Sequence, residues 1–320
     1  MYKWIYFWKI KRTPQEYRPT ILVTGCSSGI GLALAKLLYK CRDYRVIVTA
    51  REKSIGVLRQ QFAEDERFII RALDVADEED RKHLLQELTS TWGGVDILVN
   101  NAGICYRSVL EEMSYEDEKI QLQTNYHGPM SLIKHCLPHM RHRGRGKIIN
   151  VSSVSGILAM PTMASYSASK SALEAASEAL WYEVKPFGIN ISVIQPGFVR
   201  SRSFENTKLS VRSELSMRFD RPYSDLYTNI IPLISRLMRW GLATPESIAG
   251  LTLNVIRTQN PPLWVPGAID SEFFYLLKRF LPRWMTQPFL YSILPKATSW
   301  GKKFSKKRHR ASLISRWRGL

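Results

Sequence analysis

Short apolar runs that alternate with helical stretches most constrain the fold of this 320-residue chain. Runs rich in Val and Ile predict six β-strands, over residues 20–24, 45–49, 68–73, 95–99, 147–151 and 189–194. Helical patterns fill most of the intervals, over residues 30–39, 77–92, 115–140 and 165–185. Apolar strands that alternate with helices form parallel sheets covered on both faces. The predicted fold class is therefore α/β, a doubly wound parallel sheet in a single domain.

The composition excludes several other classes of protein. Hydrophobic residues make up 45% of the chain and charged residues 23%, which is too apolar for a disordered chain. No run of 18 or more apolar residues is present, so we predict no transmembrane helix. The cysteines, Cys26, Cys41, Cys105 and Cys136, form no CxxC pair, which argues against a disulfide scaffold or a zinc ribbon. This cysteine usage is typical of a reducing compartment, and we expect a cytoplasmic protein.

Basic charge is concentrated at the two ends of the chain. The formal net charge is +18, of which +4 lies in residues 1–18 and +8 in residues 302–318. Aromatic residues accompany the cations of the first segment, and an apolar aromatic stretch at 273–294 precedes the second. Such ends suit an anionic membrane surface, so we expect peripheral membrane association through them. Nucleic acid is the competing partner for the basic tail, but no nucleic-acid-binding motif accompanies it.

A glycine-rich turn, with the sequence TGCSSGIG from Thr24 to Gly31, joins the first strand to the first helix. Glycine lets the backbone approach a pyrophosphate, and the start of a helix supplies free N–H groups and positive partial charge. Because the turn lies between a strand and a helix, it indicates a dinucleotide site of the Rossmann type. The residues expected to bind the cofactor here are Gly25, Ser27, Ser28, Gly29, Ile30 and Gly31.

The residues after the second strand predict which dinucleotide is bound. A Rossmann fold that selects NAD usually places an acidic residue there, on the ribose 2′-hydroxyl. This chain has Ala50 followed by Arg51, so no acid repels a 2′-phosphate and a cation is available to bind one. We therefore expect NADP(H) to be preferred, with NAD(H) as the alternative cofactor.

Tyr166 and Lys170 form a YxxxK motif. Positions i and i+4 of a helix share one face, so both side chains can reach one cleft. Free tyrosine titrates near pH 10, and a neighbouring ammonium group lowers that pKa by stabilising the phenolate. The motif therefore predicts that Tyr166 acts as a general acid and base, with Lys170 lowering its pKa.

These motifs together resemble the short-chain dehydrogenase/reductase family, in its short single-domain subgroup with the spacing TGxxxGxG. The resemblance covers roughly residues 19–265. It implies a catalytic tetrad in which Asn125 and Ser153 join Tyr166 and Lys170, with Ser153 placed 13 residues before the tyrosine. A serine there orients the substrate oxygen and stabilises charge on it. In the family, the asparagine holds a water in a proton relay to the lysine.

The resemblance also implies further contacts with the cofactor. An aspartate after the third strand binds the adenine in the family, an NNAG motif lines the cleft, and a Pro-Gly pair precedes the nicotinamide contacts. The matching residues in this chain are Asp74, Val75, Asn101, Ala102, Gly103, Pro196, Gly197 and Val199, together with Tyr166 and Lys170. The family often has a threonine shortly after the Pro-Gly pair. This chain has none there, and Ser201 and Ser203 are the nearby hydroxyls.

The expected activity is hydride transfer between a nicotinamide and a hydrophobic alcohol or ketone, such as a lipid, retinoid or steroid. The alternative is a non-catalytic cofactor-binding scaffold or sensor at a membrane. The chain is divided into an N-terminal segment (1–18), a catalytic domain (19–265) and a C-terminal extension (266–320). Residues 273–294 are either an interfacial segment or a lid over the substrate cleft. The resemblance implies a homodimer or homotetramer.

No metal site is predicted. His135 and His139 have the i, i+4 spacing of a ligand pair, but Pro138 and the basic residues at 141–143 are typical of a surface helix end.

Overall fold

A parallel sheet of seven strands forms the centre of this computed structural model, which describes residues 17–200, 207–302 and 304. The strands are β1 (Thr20–Val23), β2 (Arg45–Ala50), β3 (Phe68–Ala72), β4 (Ile97–Asn100), β5 (Gly146–Val151), β6 (Ile189–Gln195) and β7 (Trp264–Pro266). Their order across the sheet is β3-β2-β1-β4-β5-β6-β7, and every neighbouring pair is parallel. The predicted α/β class, of Rossmann type, is confirmed.

Twelve α-helices connect the strands or follow them within the described residues. They are α1 (Gly29–Lys40), α2 (Glu52–Gln61), α3 (Glu78–Trp92), α4 (Tyr115–Leu122), α5 (Gly128–His142), α6 (Val154–Ile157), α7 (Ala164–Val184), α8 (Val211–Arg218), α9 (Ser224–Trp240), α10 (Pro245–Arg257), α11 (Ile269–Phe280) and α12 (Arg283–Ile293). None of the described helices is long and apolar enough to cross a membrane.

Helices cover both faces of the sheet. Successive side chains of a strand point to opposite faces, and β1 follows this rule. Ile21 and Val23 belong to one apolar cluster with Leu34 of α1, whereas Leu22 belongs to a second cluster with Leu132 of α5. All of these side chains are fully buried. The two clusters fix the sheet between its helical layers, so the carboxyl ends of the strands form one rigid edge.

The structure differs from the sequence prediction in several elements, of which three concern the sheet and the helix before β5. Helix α2 and strand β7 were not predicted, because α2 is mostly polar and β7 is a three-residue strand that ends at Pro266. The helix predicted over 115–140 is interrupted by a π-helical turn at Gln123–His127. At that turn Gly128 packs against the Val75 carbonyl, and a Cβ atom at Gly128 would lie 2.3 Å from its oxygen.

Helix α10 begins after Thr244, whose hydroxyl accepts a hydrogen bond from the Ser247 N–H. Residues 207–243, where no strand was predicted, contain α8 and α9.

Candidate active site

A cleft of about 700 Å³ lies at the carboxyl ends of the strands. The strand order reverses between β1 and β4, and such a reversal opens a crevice where open α/β sheets bind ligands. Every residue that the sequence predicted for the site lines this cleft, except Gly31 and Asn125. The structure therefore brings together residues that are separated by up to 174 positions in the chain, from Gly25 to Val199.

The glycine-rich turn is held closed by backbone contacts that leave no room for a Cβ atom. A Cβ atom on Gly31 would lie 2.3 Å from the Gly25 carbonyl oxygen. Gly25 has a φ of +71°, and a Cβ atom there would lie 2.7 Å from the Cα atom of Ala102. The Asn101 amide donates hydrogen bonds of 2.9 Å to the carbonyls of Thr24 and Gly25. Gly31 therefore shapes the turn from behind, while Asn101 of the NNAG motif fixes it from the next strand.

The open side of this turn fits a dinucleotide phosphate. Gly29 has a φ of +56°, and nothing lies within 4 Å of the position a Cβ atom would occupy. Ser28 is the N-cap of α1, and its side chain makes no capping hydrogen bond. The first N–H groups of α1 therefore face the cleft beside Ser27 and Ser28, where an anion is favoured by the helix dipole.

Arg51 and Asp74 line the far end of the cleft, after β2 and β3. Arg51 is exposed and is the N-cap residue of α2, in an extended conformation, with no side-chain capping bond. Ala50 before it is buried, so no acidic side chain lies at that position. The Asp74 carboxylate accepts a hydrogen bond of 3.0 Å from the Ala76 N–H. The residues present here are compatible with the adenosine half of a phosphorylated dinucleotide.

Tyr166 and Lys170 project from α7 into the middle of the cleft, as the i, i+4 spacing predicts. The Lys170 ammonium lies 6.0 Å from the centroid of the Tyr166 ring and donates a 2.9 Å hydrogen bond to the Val151 carbonyl at the end of β5. Ser153 follows that strand, and its side chain hydrogen-bonds the side chain of Tyr166. The Ser153 hydroxyl also caps α6 by accepting from the Ser155 N–H at 3.1 Å.

Burial controls the titration of both groups. Desolvation raises the pKa of Tyr166 above its ordinary value, and the Cys105 thiol adds to this, while the hydrogen bond from Ser153 and the positive charge of Arg107 oppose it. Lys170 is not among the groups that shift the Tyr166 pKa here, and desolvation sets the direction of the shift. Desolvation also lowers the pKa of Lys170 to about 8, partly offset by the negative charge of Glu174.

Asn125 lies outside the cleft, in the π-helical turn between α4 and α5, and is fully buried. Its amide donates to the Ile104 carbonyl at 2.9 Å and to the Ser169 hydroxyl at 3.0 Å, and its oxygen accepts from the Ile104 N–H at 2.9 Å. Asn125 thus fixes the loop after β4 against α7. A side-chain contact with substrate is not available to it in this arrangement.

Sequence reasoning missed Glu174, Arg107 and the apolar wall of the cleft. Glu174 is buried one turn after Lys170 on α7. The i, i+4 spacing of these two residues is visible in the sequence and could have indicated that Glu174 lies beside the site. Arg107 lines the cleft, and its positive charge acts on Tyr166. No short motif marks the apolar wall, which comes from four separate segments and includes Ile104, Met160, Met163, Phe198 and Met238.

The Pro196-Gly197 pair follows β6, as predicted, and contacts α11. A Cβ atom on Gly197 would lie 2.1 Å from the Asp270 carboxylate, which accepts a 2.7 Å hydrogen bond from the Phe198 N–H. The predicted hydroxyls Ser201 and Ser203 lie outside the described residues. Among the residues that the structure describes, no cluster of three metal ligands is found.

The comparisons with known proteins assign this site to a class. The short chain dehydrogenase family model matches residues 19–211, and the chain belongs to this family. It is an NAD(P)-dependent oxidoreductase acting on CH–OH and C=O groups.

Two curated proteins and one solved structure illustrate the likeness. A 3-ketodihydrosphingosine reductase of Bacteroides thetaiotaomicron is 33% identical, over 83% of this chain and 94% of the relative. Retinol dehydrogenase 8 of Bos taurus is 34% identical, over 76% of this chain and 80% of the relative. A short-chain dehydrogenase from Streptomyces avermitilis superposes with a TM-score of 0.70 at 29% identity, over 91% of this chain and 98% of that structure.

Proposed function

We propose that the protein is an NADP(H)-dependent oxidoreductase that interconverts a hydrophobic alcohol and the corresponding ketone or aldehyde. The observation that carries this proposal is that Ser153, Tyr166 and Lys170 line one cleft, where its dinucleotide end meets its apolar wall. A carbonyl oxygen placed there is within reach of both hydroxyls, while the rest of the substrate contacts methionine and phenylalanine side chains.

The preference for NADP(H) is supported by Arg51. Arg51 lines the cleft at the adenosine end, and β2 ends at the buried Ala50 rather than at a carboxylate that could bind the ribose 2′-hydroxyl. A guanidinium suits a 2′-phosphate because it donates parallel hydrogen bonds to two phosphate oxygens. NAD(H) lacks this phosphate, so it is expected to bind more weakly.

The proposed mechanism follows from the placement of the Tyr166, Ser153 and Lys170 side chains in the cleft. When bound, the nicotinamide supplies a hydride to the carbonyl carbon or accepts one from the carbinol. Tyr166 gives its hydroxyl proton to the substrate oxygen in reduction and takes the proton back in oxidation. Ser153 donates a hydrogen bond to the same oxygen and stabilises the charge that develops on it. Lys170 lies on the same helix face and places a positive charge beside the reacting groups.

The apolar wall supports the substrate class. Met160, Met163 and Met238 are flexible and polarisable, and such side chains adapt to long or irregular apolar molecules. The names of the two curated relatives, a ketosphingosine reductase and a retinol dehydrogenase, are consistent with lipid-like substrates. A polar substrate would leave this wall without a partner.

A cofactor titration tests the first half of the proposal. Purified protein is titrated with NADPH and NADH while nicotinamide fluorescence is followed. We expect NADPH to bind more tightly and Arg51→Ala to weaken NADPH binding about 10–100-fold, the range for a lost hydrogen bond to a charged group. Arg59→Ala is the matched control, since Arg59 is an exposed cation of α2 outside the cleft. Equal affinity for NADH and NADPH would overturn the Arg51 assignment.

A turnover assay tests the second half. Lipophilic ketones and retinoid aldehydes are screened with NADPH, and Tyr166→Phe is compared with Tyr182→Phe, which changes an exposed tyrosine of the same helix. Loss of the general acid should lower kcat by about 10²–10⁴-fold without weakening NADPH binding. If Tyr166→Phe kept full activity, the proposed acid–base role would be wrong. NADPH binding without turnover of any apolar carbonyl compound would favour a cofactor-sensing scaffold.

We also propose a homo-oligomer. Helices α4 and α7 expose Tyr115, Ile120 and Tyr182, at 73%, 47% and 65% of their surfaces. These side chains give the outer face of the molecule apolar area that a second copy would cover. Sedimentation of the full chain at several concentrations measures the state, and a strictly monomeric protein would refute this assignment.

A further inference from the structure

Helix α11 exposes an apolar stripe to solvent. Ile269, Phe273, Leu276 and Phe280 follow the spacing i, i+4, i+7 and i+11, which places them on one face of the helix. They are exposed over 72%, 57%, 42% and 75% of their surfaces. In a globular protein such a stripe normally faces the core. Here it faces outward, and the polar start of α11 carries the inward contacts, through Asp270 and Ser271.

Helix α12 extends this surface. It exposes Trp284, Phe289 and Ile293, at 76%, 47% and 60% of their surfaces. We give the name aromatic surface to seven of the exposed apolar residues of the two helices, namely Ile269, Phe273, Leu276, Phe280, Trp284, Phe289 and Ile293. Single exposed apolar side chains are ordinary, but this many on two consecutive helices favour an interaction site.

The segment that contains the aromatic surface is rich in positive charge. Residues 266–320 contain twelve Lys and Arg residues against two acidic ones, a formal net charge of +10. Arg279 and Lys296 are exposed on the described part of this segment. Aromatic and aliphatic side chains flanked by lysine and arginine suit the interface of an anionic bilayer, where the rings enter the acyl boundary and the cations meet the headgroups.

The aromatic surface is joined to the substrate end of the cleft. The Asp270 carboxylate accepts a hydrogen bond from the Phe198 N–H. The ring of Phe198 contacts the ring of Phe274, and the two ring centroids are 6.2 Å apart. At the other end of α11, Lys278 donates a hydrogen bond to the Ile157 carbonyl of α6. Phe198 lines the cleft, so α11 lies directly behind the apolar wall described above.

We propose that the aromatic surface docks the protein onto an anionic lipid bilayer, with α11 and α12 lying in the plane of the interface. None of the helices in the described part of the chain is long and apolar enough to cross a membrane. An apolar substrate dissolved in the bilayer would then enter the cleft beside α11 with little exposure to water. The docking itself is independent of the proposed reaction, because it depends only on these helices and their charge.

Vesicle co-sedimentation of the full chain tests this proposal. Vesicles of phosphatidylcholine alone are compared with vesicles that contain about 30% phosphatidylserine, a composition with negative surface potential. We expect binding to the anionic vesicles, and weaker binding as salt screens the cations. The double variant Phe273→Ser/Phe280→Ser should bind at least about 10-fold more weakly, since each ring loses the free energy of apolar burial.

A matched variant tests whether weaker vesicle binding is specific to the aromatic surface or follows from the loss of any exposed phenylalanine ring. Phe187→Ser makes the same change at a 46% exposed ring next to the start of β6, at the opposite edge of the sheet from the cleft, and should bind like the unmodified protein. Circular dichroism confirms that each variant is folded. Anionic-vesicle binding that survives the double substitution, or no binding by the unmodified protein, overturns the proposal. Self-association that the double variant abolishes, without vesicle binding, would assign the surface to a second copy instead. All of these readouts are obtained without cofactor or turnover.

Discussion

The Ser152 hydroxyl donates a 2.6 Å hydrogen bond to the buried Glu174 carboxylate. The same carboxylate accepts a 3.1 Å hydrogen bond from the Gln195 side chain. Ser152 and Gln195 lie at the carboxyl ends of β5 and β6, immediately before Ser153 and Pro196. Glu174 therefore joins both strand ends to α7, beneath the proposed catalytic residues. Burial raises the pKa of Glu174, while these two hydrogen bonds and the positive charge of Lys170 oppose the rise.

Replacing Glu174 should separate its structural role from its electrostatic one. Glu174→Leu leaves two buried polar side chains without their acceptor, so we expect the free energy of unfolding to fall by about 1–3 kcal/mol per unpaired group. Glu174→Gln replaces the carboxylate by an amide of nearly the same shape, which still offers an acceptor oxygen. It should therefore lower the free energy of unfolding by less. Urea unfolding of the two variants measures the difference. Equal stability of Glu174→Leu and the unmodified protein would contradict the role assigned to these bonds.

The pH profile of Glu174→Gln should shift in a defined direction. Burial lowers the pKa of Lys170 to about 8, and the negative charge of Glu174 opposes that lowering. Lys170 also lies near Tyr166 and Cys105, and Lys278 acts on Glu174 from α11. Lys170 is charged below its pKa, so a function of its ammonium declines as pH rises through about 8. Without the Glu174 charge this pKa falls further, and the alkaline decline of kcat/KM should begin at lower pH. A decline at the same or higher pH would contradict the coupling.

Gly31 and Gly56 offer a matched pair of alanine substitutions. A Cβ atom on Gly31 meets the Gly25 carbonyl and the Asn101 amide, at 2.3 and 2.4 Å, so Gly31→Ala must displace the phosphate-binding turn. We expect lower stability and loss of measurable NADPH binding. Gly56 lies inside α2 with open space around it, and Gly56→Ala should raise the free energy of unfolding by about 0.5–1 kcal/mol. Calorimetry and the NADPH titration compare the two, and a Gly31→Ala protein that still binds NADPH would show that the turn can move.

The positions of the first six strands and of the glycine-rich turn could be predicted because local sequence decides them. Apolar runs such as the one ending at Val99 are buried on both faces, and β-branched residues favour strands whatever follows them. Strand β7 was missed because its three residues depend on pairing with β6, a contact between distant segments. The π-helical turn was missed for the same reason, since it is set by Gly128 packing on the Val75 carbonyl.

The candidate site divides in the same way. Tyr166 and Lys170 share one helix, so their common face could be predicted from the i, i+4 spacing. The Tyr166 pKa could not be predicted, because it depends on how much protein encloses the ring, and that is a property of the folded cleft. Arg107 lies in the loop after β4, and its positive charge acts on Tyr166. No sequence motif predicts this interaction.

Lys147 should make the stability of the protein depend on pH above neutrality. Its ammonium is largely buried and donates hydrogen bonds of 2.5 Å to the carbonyls of Ile256 and Thr258, at the end of α10. Desolvation lowers its pKa from 10.5 to about 8. Between these two pH values the unfolded chain binds a proton that the folded protein has released, so the free energy of unfolding rises with pH.

Comparison with Lys147→Met isolates this contribution, because Lys170 acts in the same direction and is present in both proteins. The variant should show a smaller rise in the free energy of unfolding between about pH 8 and 10.5, measured by urea titration at several pH values. At pH 7 the variant lacks the two hydrogen bonds of Lys147, but it also avoids the cost of burying a charge. The two effects on the free energy of unfolding oppose each other, so the dependence of this free energy on pH is the informative quantity. Identical slopes would show that Lys147 titrates normally in the folded protein.

Tyr227 joins helices α8 and α9 to the loop after β4. We call these two helices the cap, because Met238 of α9 lines the cleft. The Tyr227 hydroxyl is buried, lies 2.7 Å from the Ser213 hydroxyl and 3.0 Å from the Glu112 carboxylate, and accepts a 2.9 Å hydrogen bond from the Val109 N–H. Tyr227→Phe leaves the Val109 N–H and the Glu112 carboxylate without this partner, which costs about 1–3 kcal/mol. Because that cost falls on contacts between the cap and the loop after β4, residues 211–240 should exchange amide hydrogen faster.

The same substitution should act on substrate binding more than on the chemical step. Met238 of α9 lines the cleft, whereas Tyr227 does not touch Tyr166 or Ser153. We therefore expect a higher KM for an apolar substrate with a smaller change in kcat. Tyr223→Phe is the control, because its hydroxyl bonds the exposed Glu111 carboxylate and such surface bonds contribute little. Unchanged exchange in residues 211–240, or an effect on kcat alone, would mean that the cap is held by contacts other than this buried hydroxyl.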